Sequence, residues 1–78
     1  MNQSLYYIKI NQIIDEYISN LCVGDKLDNE RELSLKLSVS RTTLRERLTY
    51  LSNRGFLFKH HGKPTRYIKD IFSEEDHF

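Results

Sequence analysis

The 78-residue chain contains few residues that cross-link or interrupt a fold: one cysteine, one proline, three glycines and no tryptophan. Because Cys22 is alone, an internal disulfide and a Cys-x-x-Cys metal pair are both excluded, which favours a reducing cytoplasmic setting. Apolar runs are only a few residues long, and the N-terminus lacks a basic segment followed by an apolar stretch. The sequence therefore predicts neither a membrane span nor a signal peptide, and we expect a cytoplasmic protein.

The net charge is only +1, but it is unevenly distributed. Residues 1–40 carry four basic residues (Lys or Arg) and six acidic ones (Asp or Glu). Residues 41–69 carry eight basic residues and one acidic residue, and residues 70–78 carry no basic residue and four acidic ones. A strongly basic central segment of this kind is typical of a surface that meets phosphate groups. Charge alone leaves one alternative open, a solvated basic face that binds nothing.

The size of the chain limits the chemistry it can perform. At this length we expect one small domain with a modest core and no cleft between two lobes. His60 and His61 are neighbours at the end of a predicted extended segment, so their side chains point to opposite faces and cannot ligate one ion together. The sequence therefore argues against an enzyme, and we predict no catalytic residue, metal site or cofactor.

Two amphipathic helices are predicted in the first half of the chain. The first covers residues 5–20, with apolar residues at helical spacings of three and four: Tyr6, Ile10, Ile13, Ile14, Tyr17, Ile18 and Leu21. The second begins after Asn29, which forms an Asn version of the capping box with Glu32, and ends near Ser38. Its buried face carries Leu33 and Leu37.

A third helix follows after a very short connection. Ser40 is placed to cap it and Gly55 to end it in a left-handed conformation. Its buried stripe consists of Leu44, Leu48 and Leu51. Residues 38–40 leave room only for a tight turn with Val39 pointing inward, so the second and third helices form a helix-turn-helix unit.

After Gly55 the pattern becomes extended and predicts a β-hairpin with strands over residues 56–60 and 65–68. A hairpin that directly follows such a third helix is a wing. The predicted fold class is therefore mainly α with a small β-hairpin, a winged helix-turn-helix of three helices plus a wing. We predict one domain over residues 1–70 and an acidic linker or tail over residues 71–78.

The N-terminal end of the third helix has the composition of a DNA-reading surface. Arg41, Thr42, Thr43 and Arg45 are placed away from the leucine stripe and point outward. In a helix-turn-helix this end enters the major groove, where the planar guanidinium of Arg can hold a guanine edge at two atoms.

Four segments, in order and with their spacing, resemble the N-terminal DNA-binding domain of the GntR family of bacterial transcriptional regulators. They are Gly24-Asp25-Lys26-Leu27, Glu30-Arg31-Glu32-Leu33, Val39-Ser40-Arg41-Thr42-Thr43-Leu44-Arg45-Glu46 and Gly62-Lys63-Pro64-Thr65. The resemblance covers about residues 5–69. Residues 42–46 and 61–65 look especially similar to the fatty-acid-responsive FadR branch.

The resemblance implies which residues contact DNA: Arg31, Ser40, Arg41, Thr42, Thr43, Arg45, His61, Gly62 and Lys63. The role of Arg31 depends on the resemblance alone, because an arginine in the first turn of a helix is as often simple surface. In the family, the third helix lies in the major groove and the turn of the wing reaches the minor groove. Three residues depart from the family's usual pattern, Asp28, Arg47 and Pro64, and Arg47 would either lie along the first helix or extend the basic face.

The resemblance also implies partners. We expect sequence-specific binding of double-stranded DNA at a palindromic operator, a homodimer in the full-length regulator or on DNA, and an effector metabolite bound by a C-terminal domain absent here. We expect a repressor, and a fragment rather than a complete small protein. If the chain were self-sufficient, Tyr6, Tyr7 and Ile14 of the first helix would form its dimer interface. The alternative function is a winged-helix module that binds protein instead of DNA.

Overall fold

The computed structural model describes residues 2–60 and 62–70 of the chain. Over this part the elements are α1 (Asn2–Ser19), α2 (Glu30–Leu37), α3 (Arg41–Asn53), β1 (Leu57–Phe58) and β2 (Arg66–Tyr67). The predicted fold class, three helices followed by a small hairpin, is confirmed. His61 and the predicted tail, residues 71–78, lie outside the described residues.

The ends of the two central helices follow the sequence closely. The Asn29 side chain accepts a hydrogen bond from the N–H of Glu32 at 2.9 Å, as the capping box predicts. Leu37 ends α2, and Ser38 adopts a left-handed conformation with φ of 58°. That conformation is uncommon for a residue with a side chain. It turns the chain sharply into α3, and Val39 is buried in the turn as predicted.

The hairpin is shorter than the extended pattern suggests. Only two residues on each side pair, antiparallel, with Leu57 opposite Tyr67 and Phe58 opposite Arg66. Lys26 adds an isolated antiparallel bridge to Arg66, so the extended segment before α2 joins the same sheet. Gly55 has φ of 87°, the left-handed conformation predicted for the end of α3, and the chain continues from it into β1.

One core joins all these elements. It contains Ile10, Ile14, Ile18, Leu27, Leu33, Val39, Leu44, Leu48, Leu51, Phe56, Leu57 and Tyr67. Two residues predicted on the apolar face of α1 are instead exposed, Tyr6 at 56% and Ile13 at 41%. Ile10, Ile14 and Ile18 occupy every fourth position and already fill the stripe that faces the core, which leaves Ile13 at its rim. The predicted interface role of Ile14 is wrong, because this side chain has no exposed surface.

Candidate nucleic-acid interface

The start of α3 is fixed by its own side chains. Ser40 has extended backbone angles, and its Oγ accepts a hydrogen bond from the N–H of Thr43 at 3.1 Å. The Ser40 hydroxyl also donates to Oγ1 of Thr43 at 2.9 Å. Arg41 and Thr42 therefore project from a rigid first turn, both exposed, while Thr43 is half-buried. The first N–H groups of a helix have no partner inside it, so this turn also offers donors to an anion.

Arg45 is held by a carboxylate from α2. Its Nε and Nη2 atoms both donate to Oε1 of Glu30, at 3.1 and 2.9 Å. The side chains remain 51% and 28% exposed, so the pair is accessible to a ligand. The hydrogen bond from Arg45 is the main reason that the pKa of Glu30 lies below its usual value, and burial acts in the opposite direction. The same hydrogen bond raises the pKa of Arg45.

Glu30 is the common neighbour of the basic groups. Besides Arg45, the positive charges of Lys59 and Arg41 also lower its pKa. Sequence reasoning missed both Glu30 and Lys59 as members of this surface. Glu30 reads as an ordinary acidic residue in the first turn of a helix, and its contact with Arg45 joins positions 15 apart in the chain, which no local pattern reveals.

Arg31 follows Glu30 in the first turn of α2 and is exposed. Its carbonyl oxygen accepts a hydrogen bond from the Ser34 hydroxyl at 3.0 Å. Among the described residues no ion pair occupies the Arg31 guanidinium. This arginine is therefore free to meet a phosphate or a base edge from outside the chain.

The wing presents its turn to solvent. Gly62 has φ of 81°, a conformation that suits glycine, and Lys63 and Pro64 are exposed. The N–H of Lys63 donates to the carbonyl of His60 at 2.9 Å. His60 in turn stacks on Phe58, with ring centroids 5.8 Å apart. The predicted contact His61 lies outside the described residues.

An open cleft of about 1030 Å³ separates the start of α2 from the wing. Its lining includes Glu30 on one side and Lys59, Gly62 and Lys63 on the other. Since Glu30 is bonded to Arg45, the cleft opens beside the exposed end of α3. The start of α2 thus faces the wing across this cleft and contacts Arg45 of α3 through Glu30.

Two of the three residues that depart from the family's usual pattern make clear contacts in the structure. Asp28 accepts hydrogen bonds from Lys36 at 2.7 Å and from the Tyr17 hydroxyl at 3.1 Å, which links α1 to α2. Arg47 donates to Asp15 of α1. Of the two alternatives for Arg47, the structure favours the one along α1, so this residue does not extend the basic face.

Comparison with known proteins identifies the architecture. The family model of bacterial regulatory proteins of the gntR family matches residues 7–66. The chain belongs to the GntR family. It is therefore a DNA-binding domain of a transcriptional regulator, and neither the family nor the relatives named below are enzymes.

Curated GntR relatives are much longer than this chain. The fatty acid metabolism regulator protein of Haemophilus influenzae is 51% identical over 43 residues, which cover 55% of this chain and 18% of that protein. The putative L-lactate dehydrogenase operon regulatory protein of Escherichia coli is 40% identical over 70 residues, or 87% of this chain and 26% of that protein. The first of these agrees with the resemblance to the FadR branch.

Solved GntR-like structures share the fold. A GntR family transcriptional regulator from Listeria monocytogenes superposes with a TM-score of 0.72 at 27% identity, covering 91% of this chain and 64% of that one. The N-terminal domain of AraR, solved in complex with a mutant ORR3, gives a TM-score of 0.65 at 27% identity, covering 78% of this chain and 90% of that one.

The described part of the chain contains no helix that is both long and apolar enough to cross a membrane. Within the same residues, no three His, Cys, Asp or Glu side chains cluster in a way that could hold a metal ion.

Proposed function

We propose that this domain binds a specific double-stranded DNA sequence, with α3 in the major groove and the turn of the wing in the adjacent minor groove. The observation that carries the proposal is the position of Glu30, which holds the exposed Arg45 of α3 and lines the cleft whose other side is the wing. The positive charges of Arg41 and Lys59 also act on Glu30. The capped first turn of α3 presents Arg41 and Thr42 at a fixed angle, as base readout requires.

Within this proposal the contacts divide into two kinds. Arg41 and Arg45 meet base edges, because both project from the end of α3 that would enter the groove. The residues that border this end of α3 are assigned to the phosphates or bases beside it: Arg31, Ser40, Thr42 and Thr43. Gly62, Lys63 and the undescribed His61 belong to the minor groove, where width and negative potential are read more than base identity. We add Lys59 as a phosphate contact on account of its place in the cleft.

We further propose that the domain acts within a dimeric repressor in the bacterial cytoplasm, where the chromosome is accessible. The length of the relatives supports a further C-terminal domain that binds an effector metabolite. Two-fold symmetry in such a dimer would impose a pseudo-palindromic operator on the DNA. Repression would follow if the bound dimer covers a promoter.

Selection from random duplex DNA, followed by gel-shift titration, tests the core of this proposal. We expect one enriched sequence family with inverted half-sites. Joining two half-sites should raise the apparent affinity of a dimer by roughly a hundredfold over one half-site. Failure to enrich any sequence would refute specific DNA binding and favour the protein-binding alternative. That alternative predicts an apolar or acidic outer face on α3, where the structure instead shows Arg41, Thr42 and Arg45.

A further inference from the structure

The most enclosed ion pair among the described residues joins α1 to α3. Arg47 Nε donates to Oδ1 of Asp15 at 3.0 Å, and Nη2 donates to Oδ2 at 2.6 Å. The two side chains are only 19% and 23% exposed. Two parallel bonds between a guanidinium and a carboxylate fix direction as well as distance.

Arg47 lies two positions after Arg45 and six positions after Arg41, the proposed base-reading residues of α3. Thr43 and Arg47 are four positions apart on α3, and together with Tyr50 they line a small cleft of about 300 Å³ against Tyr7 and Asn11 of α1. The guanidinium carbon of Arg47 also lies 4.6 Å from the centre of the Tyr50 ring. The Arg47 side chain is thus held on two sides.

The apolar contacts around the pair do not restrict orientation in the same way. Asp15 is flanked on α1 by Ile14 and Ile18, and Arg47 is followed on α3 by Leu48 and Leu51, all buried. Burial of such side chains is favourable but non-directional, so it tolerates small rotations of one helix against another. A half-buried ion pair adds little net stability, because desolvation offsets attraction, but it can select one geometry.

We propose that the Arg47–Asp15 pair is a positioning device that sets the angle at which α3 presents Arg41, Thr42 and Arg45, and thereby contributes to sequence specificity without touching DNA. This inference rests on the proposed DNA-binding function. It assigns Asp15, a residue of α1 on the far side of the ion pair from α3, an effect on which base sequence is bound.

The test compares Asp15→Asn with Glu16→Gln. Both changes remove one negative charge from neighbouring positions of α1, but Glu16 is exposed and has no ion-pair partner among the described residues. The measured quantity is the ratio of affinities for the selected sequence and for random DNA of equal length. We expect Asp15→Asn to lower this ratio about tenfold, equivalent to one weakened base contact, and Glu16→Gln to leave it unchanged.

Arg47→Lys provides a second variant that keeps the charge but loses the two-pronged geometry. It should also lower the ratio, with the salt dependence of binding unchanged. The exchanged pair Asp15→Arg with Arg47→Asp should recover part of the loss. Thermal melting followed by circular dichroism identifies a temperature at which every variant is folded. Binding is measured at that temperature, so a loss of specificity is separated from unfolding.

Two outcomes would overturn the inference while leaving the proposed function intact. One is an unchanged ratio in Asp15→Asn although the wild type prefers its selected sequence. The other is a parallel rise in affinity for both DNAs with a salt slope steeper by about one, because a released Arg47 would then be binding phosphate directly. A wild type without sequence preference would refute both the proposed function and the inference.

Discussion

The start of α3 and the turn of the wing are both basic, yet the structure holds them very differently. In α3 the first turn is fixed by Ser40 and Thr43, and Arg45 is held at two nitrogen atoms by Glu30. In the wing two residues of each strand pair with each other, and Lys26 bridges to Arg66 on the outer side of β2. Among the described residues, the turn itself is closed by one backbone hydrogen bond, from the N–H of Lys63 to the carbonyl of His60. A held side chain loses less conformational entropy when it binds. We therefore expect α3 to discriminate sequences and the wing mainly to add attraction.

The largest effect is expected from Arg41→Ala. Loss of a base contact should weaken binding to the selected sequence by about 1 to 3 kcal/mol and binding to random DNA much less. Gel-shift titration on both DNAs measures the difference. Arg54→Ala is the control, since Arg54 lies at the opposite end of α3 over Tyr50. Equal losses on both DNAs would assign Arg41 to a phosphate and remove the proposed contrast with the wing.

Glu30→Gln tests whether holding Arg45 matters. Without the carboxylate, random DNA should bind a few-fold more tightly, because a negative charge has been removed from the binding face. Affinity for the selected sequence should rise less, because Arg45 is no longer held in one orientation. The ratio of the affinity for the selected sequence to that for random DNA should therefore fall. Glu32→Gln, in the same turn but without an ion-pair partner among the described residues, should preserve the ratio. Identical behaviour of the two variants would show that Glu30 acts only by its charge.

Lys63→Ala should affect all sequences alike. We expect a modest loss of affinity and a salt slope lower by roughly one counterion, measured by titrating binding from low to moderate ionic strength. The ratio between selected and random DNA should stay constant. A changed ratio would mean that the wing also reads sequence, and an unchanged slope would remove Lys63 from the contacts.

The smallest effect concerns acid stability. Because Arg45 lowers the pKa of Glu30 below its usual 4.5, the contribution of this pair to folding is present above that pH. It is lost as the pH falls through the lower value of the folded state. Urea unfolding at a series of acidic pH values should therefore show a slightly shallower loss of stability in Glu30→Gln than in the wild type. Parallel curves would indicate that the pair forms only weakly in solution.

Much of the fold was predictable because its signals are local. Asn29, Ser40 and Gly55 act within three or four residues of their own positions, so the bounds of α2 and α3 follow from neighbouring residues. The leucine stripe of α3 follows in the same way from helical periodicity. The wing was predicted too long, because an extended pattern does not reveal how many residues find a partner strand. The DNA contacts assigned from sequence stay predictions.

The amino-acid sequence by itself determined that Leu44, Leu48 and Leu51 form the buried stripe of α3. It also determined that Arg41, Thr42 and Arg45 stand at polar positions in the first two turns of that helix. Only the tertiary structure decided how the arginines of α3 are used. Arg45 meets Glu30 across 15 positions and Arg47 meets Asp15 across 32, so the two are held by different helices. Two arginines that look equivalent in a linear pattern therefore acquire different roles, because ion pairing depends on which elements the core packs together.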